Sequence, residues 1–141
     1  MVMQTGWTEE IQIPPRTGCE KEAMERASSF AAAIGFQGER IEDIKTVVSE
    51  ACLNAIEHTR REGLRDTILV RFLRDETGMK IMIVNKGKPF TPVEGRPDIR
   101  EKIEGKDRPR GWGTFLMQEL SDGVEITHDR GETTVTISVR L

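Results

Sequence analysis

The sequence predicts an α+β fold: a two-layer α/β sandwich, its sheet mixed but mostly antiparallel, with the helices on one face. Three observations predict it. Two neighbouring segments carry apolar residues at helical spacing. The other apolar segments are short, alternate with a period of two, and come in pairs separated by turn residues. The resulting order is strand, two helices, two strands, long loop, helix, two strands. It lacks the regular strand–helix alternation of a doubly wound parallel sheet.

Each element has a local reason. Glu9 to Pro14 alternates with Ile11 and Ile13 on one side and stops at Pro14-Pro15, which cannot continue a ladder. Residues from about Glu20 to Ile34 are rich in Ala, Glu and Met, and Gly35 ends that helix. The second helix runs from about Glu39 to Arg61. Ile41, Ile44, Val48, Ala51 and Ala55 recur at steps of three and four. Glu42 and Asp43 in its first turn, and Arg60 and Arg61 in its last, suit the helix dipole, and Gly63 closes it. Strands come next at Asp66 to Arg74 and Met79 to Val84, around a turn of Asp75, Glu76, Thr77 and Gly78. The stretch from Asn85 to Arg110 is broken by Gly and Pro and reads as loop, with a short helical piece expected at Ile99 to Ile103. A third helix is expected from Gly113 to Ser121, then strands at Val124 to Thr127 and Thr133 to Leu141 with Gly131 in the turn.

A chain of 141 residues suits one core, so residues 1–141 are read as a single domain. A net charge of -3 argues against direct nucleic-acid binding. Two cysteines, Cys19 and Cys52, form neither a metal spacing nor a disulfide framework, which suggests a reducing compartment. The apolar runs are too short to span a bilayer and the N-terminus lacks signal-peptide order, so a cytoplasmic location is expected.

Three segments carry candidate chemistry. On the second helix Glu50, Asn54 and Glu57 fall opposite the apolar stripe, and Glu50 and Asn54 are neighbours at i and i+4. An amide oxygen can ligate Mg²⁺, a hard ion that keeps waters. The carboxylate can deprotonate a hydroxyl or water. Short patterns of this kind are more often a solvated helix face. Asn85-Lys86-Gly87 reads as a strand-to-turn junction where glycine lets the backbone bend toward a ligand. Asn85 offers both a donor and an acceptor. Arg110-Gly111-Trp112-Gly113-Thr114 feeds a helix start, whose free N–H groups and dipole make an anion cradle or simply a flexible turn. Trp112 can flank a ligand or pack. Between Asn85 and Arg110 eight basic residues outnumber five acidic ones, which suits a lid of about residues 86–110 over a triphosphate, or a solvated loop. Cys52, beside the apolar stripe, reads as an inert buried thiol.

In this order the three segments resemble the N, G1 and G2 boxes of the GHKL ATPase superfamily, which has the Bergerat fold. Within it the chain is most similar to the bacterial anti-sigma factor serine/threonine kinases. Val48-Ser49-Glu50-Ala51-Cys52-Leu53-Asn54-Ala55-Ile56-Glu57-His58 looks like that group's N box. The resemblance implies ATP and Mg²⁺ as cofactors, Glu50 as catalytic base and Asn54 as metal ligand. It places His58 near the nucleotide, Asn85 and Gly87 in G1, and Gly111, Trp112, Gly113 and Thr114 in G2. Arg110 would reach the terminal phosphate, and Thr133 or Thr134 would lie near the adenine. It implies two partners, a sigma factor and an anti-anti-sigma (STAS-type) antagonist phosphorylated on serine or threonine, and a possible homodimer. One departure stands out. The G1 box usually opens with aspartate, and here it opens with Asn85. A bond to a neutral acceptor is weaker by roughly 1 kcal/mol, so ATP affinity is expected to fall about fivefold to tenfold. The alternative is then a partner-switching module that binds nucleotide without transferring phosphate.

Overall fold

The structure, a computed structural model, describes residues 8–89 and 112–141. Five strands, β1 (Thr8–Ile13), β2 (Ile68–Arg74), β3 (Gly78–Lys86), β4 (Gly123–Asp129) and β5 (Glu132–Arg140), form one sheet in the order β1-β2-β3-β5-β4. Three helices, α1 (Glu20–Ile34), α2 (Glu39–Arg61) and α3 (Trp112–Leu120), complete the order along the chain. All four strand pairings are antiparallel, so the parallel component expected of a mixed sheet is missing among the described residues. The reason is connectivity. Strands β2–β3 and β4–β5 are hairpins, and β1 reaches β2 through both long helices.

Strand periodicity builds the core. Ile11 and Ile13 of β1, Ile68, Val70 and Phe72 of β2, Met79, Ile81 and Ile83 of β3, and Val135, Ile137 and Val139 of β5 are all buried. They share one sheet face because successive strand residues alternate sides. That face is covered by helices: α1 packs on β1 and β2, α2 on β2 and β3, and α3 on α2 and β4. From α1 come Ala23, Ala27, Phe30 and Ala31; small residues there let α1 lie close beside α2. Phe30 meets Phe72 with ring centroids 5.8 Å apart. This tilted pair joins α1 to the sheet.

The buried arc of α2 is wider than its apolar spacing suggests. Besides Ile44, Val48, Ala51 and Ala55 it includes Val47, Cys52, Ile56, His58 and Thr59. A helix flanked by a helix on each side and a sheet below buries more than half its circumference. Cys52 is fully buried, and burial first, with the nearby Glu20 carboxylate second, pushes its thiol pKa up to about 12.

Two turns shape the ends of the sheet. Asp75 accepts hydrogen bonds from Thr77 N, Thr77 Oγ1 and Gly78 N, each 2.9 Å. The side chain so closes the β2–β3 hairpin. Asp129 pairs with Glu132, leaving Arg130 and Gly131 as a two-residue loop. Both have positive φ, 52° at Arg130 and 76° at Gly131. Such left-handed loops match the twist of the flanking strands. The Gly131 carbonyl then accepts a hydrogen bond of 3.0 Å from Gly87 N.

Candidate functional site

The covered face of the sheet is apolar along its length except at one end. There β3 runs past the expected Val84, so Asn85 lies inside the strand rather than after it. It pairs with Thr133 of β5, as Ile83 does with Val135 and Ile81 with Ile137. Asn85 is 2% exposed and Thr133 1%. Thr133 Oγ1 lies 3.0 Å from His128 Nδ1. Neither amide atom of Asn85 has a hydrogen-bonding partner among the described residues. A buried amide left unsatisfied costs about 1–3 kcal/mol per group, a cost that a bound water, ion or ligand would offset.

Helix α2 brings the second set of groups. Glu50, Asn54 and His58 are successive i, i+4 neighbours and form a ridge. Burial increases along it: Glu50 and Asn54 are half-buried, His58 is buried. The ridge ends at Gly87. A methyl group at that position would lie 3.4 Å from His58 Nε2, 3.0 Å from Leu64 Cδ1 and 3.6 Å from Glu62 Cγ, and φ there is 119°. The left-handed backbone favours glycine here, and an added methyl would also crowd the Leu64 side chain just beyond α2. Glu62 also accepts a hydrogen bond of 3.0 Å from Lys88 N. The backbone leaving β3 is thus held on one side by Glu62 and on the other by Gly131.

The third group is the start of α3. Gly113 and Thr114, in its first turn, are buried, and α3 packs along α2. The first N–H groups of this nine-residue helix have no intrahelical partners and suit an anion. Arg110, Gly111 and the rest of the expected lid, with the short helix at Ile99 to Ile103, lie outside the described residues, apart from Lys86 to Pro89.

The structure therefore brings Asn85, Thr133, Gly87 and His58 to one end of the sandwich, with Glu50 and Asn54 on the ridge that leads there. It does not bring in all the candidates. Thr134 lies on the opposite sheet face, paired with Val84 and Thr127, because adjacent strand residues point apart. Glu57 is exposed and turned off the ridge. With Arg60 and Arg61 it lines a cavity of about 410 Å³ that includes none of Glu50, Asn54 or Asn85. Four contributors escape a reading of the sequence: Glu62, Leu64, His128 and Gly131. The hairpin Arg130-Gly131 carries the available signal, since counting pairs back from it sets Thr133 against His128.

This α+β sandwich, with a polar notch at one sheet end and a carboxylate–amide ridge beside it, falls in a known class of ATPase domains. The model of the histidine kinase-like ATPase domain family matches residues 13–139. Serine-protein kinase RsbW of Bacillus pumilus is 34% identical over 117 residues, 75% of this chain and 69% of that one. Serine-protein kinase RsbW of Halalkalibacterium halodurans is 31% identical over 133 residues, 88% of this chain and 78% of that one. A crystal structure of the RsbU and RsbW domains of a Mycobacterium tuberculosis protein superposes with a TM-score of 0.69 at 20% identity, over 96% of this chain; this chain spans 32% of that one, and the likeness speaks for the fold. The chain belongs to the histidine kinase-like ATPase family and, within it, to the RsbW-type serine-protein kinases.

Among the described residues no group of three or more His, Cys, Asp or Glu converges as a metal cluster. The donor on the ridge is the Asn54 side-chain oxygen, a hard neutral ligand of the kind Mg²⁺ takes beside phosphates and water. No helix among the described residues is long and apolar enough to cross a membrane.

Proposed function

We propose that this chain binds Mg·ATP at the sheet end marked by Asn85 and transfers the γ-phosphoryl group to a serine of an anti-anti-sigma protein. In its other state it holds a sigma factor, within the cytoplasm. The observation that carries the reading is the ridge Glu50–Asn54–His58 ending on Gly87, beside a buried amide with no partner among the described residues.

In this reading the nucleotide base meets Asn85 and Thr133, and the phosphates lie toward the first turn of α3. Asn54 would supply the protein oxygen to Mg²⁺, which neutralises phosphate charge when bound. Glu50, half-buried one turn earlier, accepts the proton of the acceptor hydroxyl. The seryl Oγ–P bond forms as the bond from the γ-phosphorus to the bridging oxygen breaks, and ADP leaves with that oxygen. Partial burial of the ridge strengthens each electrostatic contact relative to water.

The test is phosphate transfer from Mg·ATP to an anti-anti-sigma protein of the same organism, by wild type and Glu50→Gln. A general base contributes a factor of about 100 to 10,000, so the variant should lose at least about a hundredfold in transfer rate. Its ATP affinity should stay within about threefold. Transfer at the wild-type rate would remove Glu50 from the role of base. Wild type that binds ATP tightly and transfers nothing would point to a switch without catalysis.

A further inference from the structure

We propose that Asn85 makes the base pocket permissive at the purine 6-position, so that 6-oxopurine triphosphates bind beside ATP. The inference rests on the nucleotide reading of this site and concerns only what the base pocket selects.

The Asn85 amide nitrogen donates and its oxygen accepts, side by side in one plane. Both atoms are buried and neither meets a partner among the described residues. Among the described residues no hydrogen bond fixes which way the amide faces. Thr133, directly across the ladder, has its hydroxyl beside His128 Nδ1 at 3.0 Å. Gly87, two residues on, has no side chain and its N–H is committed to Gly131. An amide that no hydrogen bond orients can rotate by half a turn at little cost, exchanging donor for acceptor.

A purine edge asks for that exchange. Adenine presents a 6-amino donor beside the N1 acceptor. Hypoxanthine presents a 6-oxo acceptor beside the N1–H donor. Asn85 matches the first with Oδ1 toward the 6-position and Nδ2 toward N1, and the second with the two reversed. An ionised carboxylate has acceptors only. It can take the adenine amine, but it would face the 6-oxo group lone pair to lone pair. A buried site with fixed polarity rejects the mismatched partner strongly, because a polar group is then left unpaired. Asparagine in this strand position thus gives up charge and gains tolerance.

The experiment is calorimetric titration of the full chain with Mg·ATP and Mg·ITP, for wild type and Asn85→Asp. Wild type should bind ATP and ITP within about fivefold of each other. Asn85→Asp should bind ATP at least as tightly as wild type and prefer it to ITP by a further factor of about ten or more. Wild type that binds ATP but discriminates against ITP by more than about thirtyfold overturns the inference and leaves the nucleotide site standing. Loss of binding for both triphosphates overturns the site itself, and the inference with it. The wild-type ratio alone decides the matter where Asn85→Asp does not fold.

Discussion

Gly87 shows how much of the site rests on a single residue. Its φ of 119° strains any side chain, and the approach of Leu64 at 3.0 Å to the place a methyl group would occupy means that the leucine must give way to one. Its N–H is also held by the Gly131 carbonyl. Gly87→Ala is therefore expected to cost about 1–3 kcal/mol of stability, the usual range for forcing a side chain into that backbone region. It should also push His58 and the end of the Glu50–Asn54–His58 ridge out of place, weakening Mg·ATP binding. Urea denaturation and a parallel ATP titration check both; a variant as stable as wild type would show that the backbone at 87 is not strained. Single residues are also the hardest features to place from sequence. Asn85 looks like the residue after a strand, because a polar side chain following an apolar run usually marks the end of burial. It is instead the last buried position of that run, kept within the ladder by Thr133. Thr133 and Thr134 are equivalent by composition, and strand parity separates them.

At the scale of elements, α2 is the organising piece. It is 23 residues long. At the usual rise per residue that is about 34 Å of helix. One arc of it faces α1, the sheet and α3, and the ridge at the border of that arc faces the site. Its limits, Glu39 and Arg61, coincide with those read from periodicity, because glycines at 38 and 63 bracket a long run without helix breakers. Cys52 reports on how tightly this helix is docked. Its pKa is raised from 9.0 to about 12, chiefly by burial. A folded-state pKa above the unfolded value means that the folded protein keeps its thiol proton while the unfolded chain loses it. The stabilisation is then complete below pH 9 and is lost as pH rises toward 12. Between those limits stability should fall by about 1 kcal/mol per pH unit on this account. The chain has no tyrosine, so no phenol titrates in the same window. Denaturant melts of wild type and Cys52→Ala at pH 8, 9.5 and 10.5 measure the slope. Equal slopes in the two proteins would show that the thiol titrates as freely folded as unfolded.

For the whole molecule, the consequence is coupling between ligand and fold. The groups around the site come from α2, β3, β5, the β4–β5 turn and α3, which lie far apart in the chain. A ligand that bridges them stabilises the native state alone. At a concentration one hundred times its Kd, Mg·ATP should add about 2.7 kcal/mol, a rise in Tm of roughly 5–10 °C for a chain of this size. Chelation of the metal should remove part of that shift, and Asn54→Ala should make it insensitive to chelator. A melting temperature unmoved by millimolar Mg·ATP would count against a nucleotide spanning these elements.

The sequence alone determined the elements and the one-sided burial of the strands, and it supplied the residues proposed for phosphate chemistry. These come from local rules: period, glycine and proline, and the short reach of i, i+4 neighbours. Only the tertiary structure decided that the ridge of α2 ends on Gly87, that Asn85 is buried against Thr133 with its amide unmet among the described residues, and that Thr134 and Glu57 face elsewhere. Those facts depend on register between strands and on which helix lies above which strand. Both are set by packing the whole core at once, so no single segment could reveal them.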